Sequence, residues 1–131
     1  MKKTGIINRD VSALVAQMGH LDALIISDAG FSVPRGVGCV DLSLAAGRPT
    51  VDEVVAMVAQ ELEVERFHFA DEAAEGFADR AADIGGLVPN AVATSMPHAE
   101  VKRLASGARG MIRTGDCRAY ANVILISGVV Y

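Results

Sequence analysis

The chain has 131 residues, 51% of them hydrophobic and 21% charged, and its 12 basic and 16 acidic residues leave a net charge of −4. That length suits one compact domain spanning residues 1–131, and the apolar fraction suits a sizeable core, which excludes a disordered chain. The acidic balance and the lack of a basic cluster exclude nucleic acid as a partner, because neutralising phosphates takes concentrated Lys and Arg.

The opening Met1-Lys2-Lys3-Thr4-Gly5-Ile6-Ile7 briefly has the basic start of a secretory leader. Asn8-Arg9-Asp10 ends its apolar stretch after two residues, far short of a leader's apolar region. Residues 10 to 18 read as a short helix capped by Asp10 or Ser12, with Leu14, Val15 and Met18 as its apolar stripe and Gly19 as its stop. Ala23 to Ile26 is apolar on both faces, which predicts a strand covered on both sides, ending at Asp28. A loop with Pro34 and several glycines follows. Cys39 to Leu44 then alternates apolar and polar residues as a second strand.

Thr50 with Glu53 three residues on is a capping box that opens a helix to about Glu63, with Val54, Val55, Val58 and Leu62 on its inner face. Arg66 to Ala70 reads as a strand, Asp71 to Ile84 as an Ala-rich helix ended by Gly85-Gly86, and Ala91 to Thr94 as a short strand. Pro97 opens a helix through Leu104, and Gly110 to Arg113 is a strand followed by the turn Thr114-Gly115-Asp116. The nearly all-apolar run from Asn122 to Tyr131 predicts a final strand inserted at a core or subunit boundary. Strands alternating with helices predict an α/β fold of three layers, α/β/α, with a mainly parallel sheet.

Mean hydropathy is +0.33, high for a soluble monomer. Asp22, Asp28, Glu53 and Asp71 interrupt the apolar runs before any could cross a bilayer, so no membrane association is expected and the excess apolar surface points to subunit contacts. Cys39 and Cys117 have no metal-like spacing and read as unpaired core thiols in a reducing cytoplasm.

In open α/β sheets ligands sit beyond the carboxyl ends of the strands, where Asp28 falls, and Ala29-Gly30 lets the backbone turn close to a ligand. His20 lies between a helix end and the strand that leads to Asp28. It either caps the helix by donating to its last carbonyls or faces, with Asp28, one small polar molecule. His98, in the first turn of a helix, has an imidazole able to donate and accept hydrogen bonds to sugar hydroxyls, or is merely exposed there. His68, between Phe67 and Phe69, reads as structural. The three histidines share no HxH or HxxxH spacing, so no metal site is expected. Arg113-Thr114-Gly115-Asp116 reads as a turn with an Arg–Asp contact, since one glycine makes no phosphate cradle. Ser27 and Ser95 lack the neighbours of a nucleophile.

Lys3-x-Gly5-Ile6-x-Asn8, Met18-Gly19-His20-x-Asp22, Asp28-Ala29-Gly30, Val33-Pro34-x-Gly36-Val37, Asp41-Leu42-Ser43-Leu44, Arg113-Thr114-Gly115 and Tyr120-Ala121-Asn122 occur in this order along nearly the whole chain. The ordered set resembles the D-ribose pyranase family, whose wider group includes the L-fucose mutarotases. The resemblance implies cofactor-free interconversion of the pyranose and furanose forms, and of the anomers, of free D-ribose. It implies His20 as catalytic proton donor and sugar contacts from Asp28, His98, Tyr120, Ala121 and Asn122. It also implies a homo-oligomer, a decamer of two stacked pentameric rings, with sites near subunit boundaries. Asp28-Ala29-Gly30 with Val33-Pro34 suggests the ribose branch rather than the fucose branch. The rival expectations are a mutarotase of L-fucose or another monosaccharide, a non-catalytic sugar-binding accessory of ribose uptake, and a structural ring protein.

Overall fold

Strands that are apolar on both sides need cover on both faces, and the computed structural model, which describes residues 1–131, provides it. The chain runs α1 (Arg9–Ala16), β1 (Ala23–Ser27), β2 (Cys39–Asp41), α2 (Val51–Val58), β3 (Val64–Ala70), a 3-10 turn (Asp71–Glu75), α3 (Arg80–Gly85), β4 (Val92–Met96), α4 (His98–Ala105), β5 (Gly110–Arg113) and β6 (Val123–Ser127). All six strands form one sheet in the order β2-β5-β1-β6-β3-β4. Pairing is parallel for β2–β5, β5–β1 and β3–β4, and antiparallel on both sides of β6. Five strands therefore point one way and β6 alone runs back, so the sheet is mainly parallel.

Alternation along the strands divides the core. Leu24 and Ile26 of β1, Ile112 of β5, Phe67 of β3, and Val123 and Leu125 of β6 face one side, where Val11 and Val15 of α1, Val51, Val54, Val55 and Val58 of α2, and Ile84 of α3 cover them. Ile25, Met111, Ile124 and Ala70 face the other side, against Val101 and Ala105 of α4 and Phe31. Three layers result, with three helices on one face and one on the other. Close approach of α1 fixes one position: a Cβ on Gly110 would lie 2.5 Å from Leu14 Cδ1. The capping box of α2 forms as expected, the Thr50 side chain accepting from the Glu53 N–H while the Glu53 carboxylate accepts from the Thr50 N–H.

Several sequence expectations change. Asn8, not Asp10 or Ser12, caps α1, its side-chain oxygen accepting from the N–H groups of Asp10 and Val11. The helix expected over Asp71–Ile84 is broken: the 3-10 turn ends at Gly76, and Asp79 caps a separate α3 by accepting from the Ala82 N–H. β2 stops at Asp41, whose carboxylate turns back to accept from Ser43. β6 stops at Ser127, because its neighbour β3 begins at Val64 and offers nothing to pair beyond the bond from Gly128 N–H to the Glu63 carbonyl. Val130 and Tyr131 are exposed. Cys39 and Cys117 are exposed free thiols rather than core residues, one on an edge strand and one in a turn. Partial burial and then the Asp41 charge push the Cys39 thiol up, which makes it a poor nucleophile.

The turn after β5 is anchored by charge. Arg113 faces Asp41 at 3.8 Å, while Asp116 pairs with Arg118 at 2.6 Å, so the expected Arg–Asp contact inside the turn is made by a different arginine. Asp116, almost fully buried, also accepts from the N–H groups of Val51 and Arg118, tying the turn to the start of α2. A Cβ on Gly115 would meet the carbonyl oxygens of Ala45 and Arg48 at 2.2 Å, so only glycine fits where the two loops cross.

Burial works to raise the Asp116 carboxyl, but the hydrogen bonds from Arg118 and Val51 outweigh it and hold it below the usual carboxylate range. The folded state therefore binds fewer protons there than the unfolded chain. The stability this confers is present above about pH 4 and is lost as pH falls through the lowered folded value. Asp116→Ala should cost about 2–3 kcal/mol in urea unfolding at pH 7, since it strands a buried N–H and an arginine. Asp116→Asn should cost less and should flatten the loss of stability between pH 5 and 3.

Candidate functional site

The site residues come from the ends of strands. Asp28 follows β1 directly, and Asn122 precedes β6, which runs antiparallel beside β1. The two meet where β1 ends and β6 begins. The Asn122 amide nitrogen donates to Asp28 Oδ2 at 2.8 Å, and its oxygen accepts from the Asp28 N–H at 2.9 Å. The other Asp28 oxygen accepts from the Gly30 N–H at 2.9 Å. Asn122 is buried, so this pairing holds the carboxylate in one orientation at the rim.

His98 opens α4 at the same end of the sheet, with its backbone N–H donating to Glu72 Oε2 at 2.9 Å. Its ring stands edge-on to Tyr120, with centroids 5.1 Å apart, and to Phe31 at 5.9 Å. His98 Nδ1 is buried without a protein partner. Tyr120 has φ of 60°, a left-handed conformation costly for a side chain of this size. Ala121 is fully buried, and its N–H donates to the Arg118 carbonyl at 3.3 Å. His98 and Tyr120 line a cleft of about 410 Å³ with Asp28, Phe31 and Asn122, to which Glu75 and Lys102 add one charge of each sign, while Ala121 lies behind it. Such a cleft suits a small polyhydroxylated molecule: a fixed carboxylate and amide for hydroxyls, and aromatic edges for apolar C–H faces. Glu75 and Lys102 were invisible as site residues, since nothing local sets them apart from other charges on exposed turns and helices.

His20 is elsewhere. It sits in the turn before β1, at the opposite edge of the sheet from Asp28, with roughly 17 Å of strand between them. Its turn is tied by Gly19 N–H to Asp22 Oδ2 at 2.9 Å, and Leu21 takes a φ of 68° to bring its N–H to the Ser127 carbonyl at 2.9 Å. The imidazole is exposed and does not cap α1; Nε2 lies 3.2 Å from Glu65 Oε2. One chain thus brings Asp28, His98, Tyr120 and Asn122 together, with Ala121 behind them, and leaves His20 out. His68 lies within β3, where burial and then the Arg66 charge lower its affinity for a proton. No cluster of three or more His, Cys, Asp or Glu side chains is placed to hold a metal ion, and no helix is long and apolar enough to cross a membrane.

A profile of the RbsD / FucU transport protein family matches residues 1–130. The chain is 41% identical over 131 residues, all of both proteins, to the D-ribose pyranase of Pediococcus pentosaceus. It is 42% identical over 137 aligned positions, again all of both, to the D-ribose pyranase of Chromobacterium violaceum. The solved structure of Bacillus subtilis RbsD in complex with D-ribose superposes with a TM-score of 0.94 at 37% identity, covering all of both chains. A fucose mutarotase from Streptococcus pneumoniae, solved with L-fucose, shares the fold at a TM-score of 0.75 and 18% identity, over 95% of each chain. With nearly every residue matched by the family profile and full-length relatives above 40% identity, the chain belongs to the RbsD / FucU transport protein family.

Proposed function

We propose that this protein interconverts the pyranose and furanose forms, and the anomers, of free D-ribose by opening and closing the sugar ring. The observation that carries this reading is the cleft at the β1–β6 boundary, where Asp28 and Asn122 are locked together beside His98 and Tyr120. Its likeness to a ribose-bound structure of the same fold supports the choice of sugar.

The reaction needs only proton transfers. Protonation of the ring oxygen and loss of the anomeric hydroxyl proton break the bond between C1 and the ring oxygen and form the C1 carbonyl. A different hydroxyl then adds to that carbonyl, giving its proton up as the carbonyl oxygen takes one. No electrons leave the sugar and no group is transferred, so no cofactor is required. Imidazole titrates in the neutral range and can give and retake the ring-oxygen proton. His20 is the proton donor in this proposal, while Asp28, His98, Tyr120 and Asn122 hold the hydroxyls and Ala121 keeps its two neighbours in place.

His20 then acts across a subunit boundary. It stands at the far edge of its own sheet, exposed, where a second copy can receive it. Exposed Ile7, Leu44 and Val92, together with the positive mean hydropathy, favour burial between copies. A closed ring is one arrangement in which every copy both lends a His20 and receives one. The proposed assembly is a decamer of two stacked pentamers. The two free, exposed thiols favour the reducing cytoplasm as its compartment.

Saturation-transfer NMR tests the reaction. Catalytic amounts of protein should speed pyranose–furanose exchange of D-ribose, and His20→Ala should reduce that rate by about 10²- to 10⁴-fold while ribose still binds. Exchange with L-fucose alone would assign the chain a different sugar with the same chemistry. Binding of ribose by the unaltered protein without faster exchange would make it a sugar-binding accessory.

Co-expression tests the shared site. At ribose concentrations too low to saturate the altered cleft, chains carrying His20→Ala (lost rate) and chains carrying Asn122→Ala (lost binding) should each show little activity alone. Mixed at random in one ring, they leave about a quarter of sites with both residues intact, and activity should return to that level. Recovery no greater than background would place His20 outside the neighbour's cleft.

A further inference from the structure

Arg80, the first residue of α3, is 3% exposed, an unusual state for a guanidinium. Nη1 is paired with Asp52 of α2. Nη2 donates at 2.6 Å to the carbonyl of Ala121, and the guanidinium carbon lies 4.2 Å from the centroid of the Phe77 ring. Asp52 accepts in turn from Arg118 at 3.2 Å, and Arg118 continues to Asp116. One buried cation is thus held on one side by a carboxylate and an aromatic face, and reaches on the other to a single backbone carbonyl.

That carbonyl lies between the two residues that shape the cleft. On one side is Tyr120, held in a left-handed conformation against His98; on the other is Asn122, locked to Asp28. The carbonyl belongs to the Ala121–Asn122 peptide, whose rotation would redirect Asn122 and loosen the backbone that follows Tyr120. A conformation as costly as that of Tyr120 persists only where its surroundings over-determine it, and the Arg80 bond is a fixed, charge-assisted constraint at the adjoining peptide.

We propose that Arg80 is a positioning residue for the sugar cleft: its bond to the Ala121 carbonyl sets the orientation of Tyr120 and Asn122, and through Asn122 that of the Asp28 carboxylate. Its effect on ribose rests on the function proposed above, but its effect on Asn122 does not. Arg80 touches neither the cleft nor the reacting atoms, so it governs how well ribose is held and leaves the proton transfer to His20. Lysine cannot replace it, because one ammonium lacks the planar fork that spans Asp52 and the carbonyl together.

Arg80→Lys should therefore shift the side-chain amide NMR signals of Asn122 in the sugar-free protein. It should weaken ribose binding about tenfold, with the exchange rate at saturating ribose changed less than about threefold. Arg118→Lys disturbs the same ion network without touching the Ala121 carbonyl, and should leave both the Asn122 signals and ribose affinity in place. Unmoved Asn122 signals in Arg80→Lys, or equal effects from the two variants, would overturn the proposal whether or not the protein acts on ribose. Unaltered protein that neither binds nor converts ribose would count against the proposed function alone. Should Arg80→Lys not fold, the unaltered protein answers: on saturation with D-ribose the guanidinium proton signals of Arg80 should move and those of Arg118 should stay, and static Arg80 signals would overturn the assignment.

Discussion

Everything at the cleft depends on one strand running the wrong way. β6 is inserted between β1 and β3 and is antiparallel to both, so its first residue lies where the other strands finish. An aspartate at the end of β1 and an asparagine at the start of β6 are 94 residues apart in sequence, yet this topology sets them side by side. In a purely parallel sheet the neighbouring strand would bring its own carboxyl end to that edge, and an Asn122 preceding the strand would lie at the opposite one. The same reversal places Ser127, at the end of β6, beside the turn that carries His20, where its carbonyl accepts from Leu21. One strand thus helps to shape both the edge that carries the cleft and the edge that carries His20.

Because β6 joins two half-sheets, its residues are buried on both faces, and burial of that kind stabilises without specifying a fine geometry. A charged chain behind the cleft links the surrounding loops, and only its last member, Arg80, reaches the cleft's own backbone. Asp116, Arg118, Asp52 and Arg80 alternate in sign and link the turn after β5, the first turn of α2 and the start of α3. Arg80 and Asp116 are buried and their partners Asp52 and Arg118 partly exposed, and such ion pairs contribute little net stability, since desolvation or solvent screening cancels much of the attraction. What they add is direction: hydrogen bonds between carboxylate and guanidinium depend on orientation, whereas valines packed on valines tolerate several arrangements. The apolar layers hold the sheet together, and this network sets where its loops lie.

The sequence was most legible where one residue type has a local physical reason to be there. Thr50 and Glu53 announce a helix start because their bonds close within four residues. Ala23 to Ile26 announces a doubly covered strand because every position is apolar. Legibility fails where the deciding partner is distant. The interval from His20 to Asp28 fits two residues facing one ligand, but five residues of extended chain separate them by a strand's length. Alanine-rich Asp71–Ile84 has the composition of one helix, yet Gly76 and the cap at Asp79 split it. Arg80 looks like any helical surface arginine until α2 and the Ala121 carbonyl close around it.

The placement of His20 bears on why a protein this small would work as a ring. In a single sheet, the proposed acid, His20, and the Asp28 carboxylate sit at opposite edges, and no side-chain rotation spans the thickness of the fold. In the proposed assembly a second copy removes that obstacle, because the edge carrying His20 is exposed and its imidazole rests against Glu65. In the proposed ring, assembly becomes a condition of catalysis rather than an aid to stability. On that proposal the isolated chain has a formed cleft but no acid, and association supplies the acid in a fixed position with its entropic cost already met by the ring. Under that arrangement, binding and proton transfer reside on different subunits at every site, so a substitution at one edge of the chain impairs affinity and one at the other impairs rate.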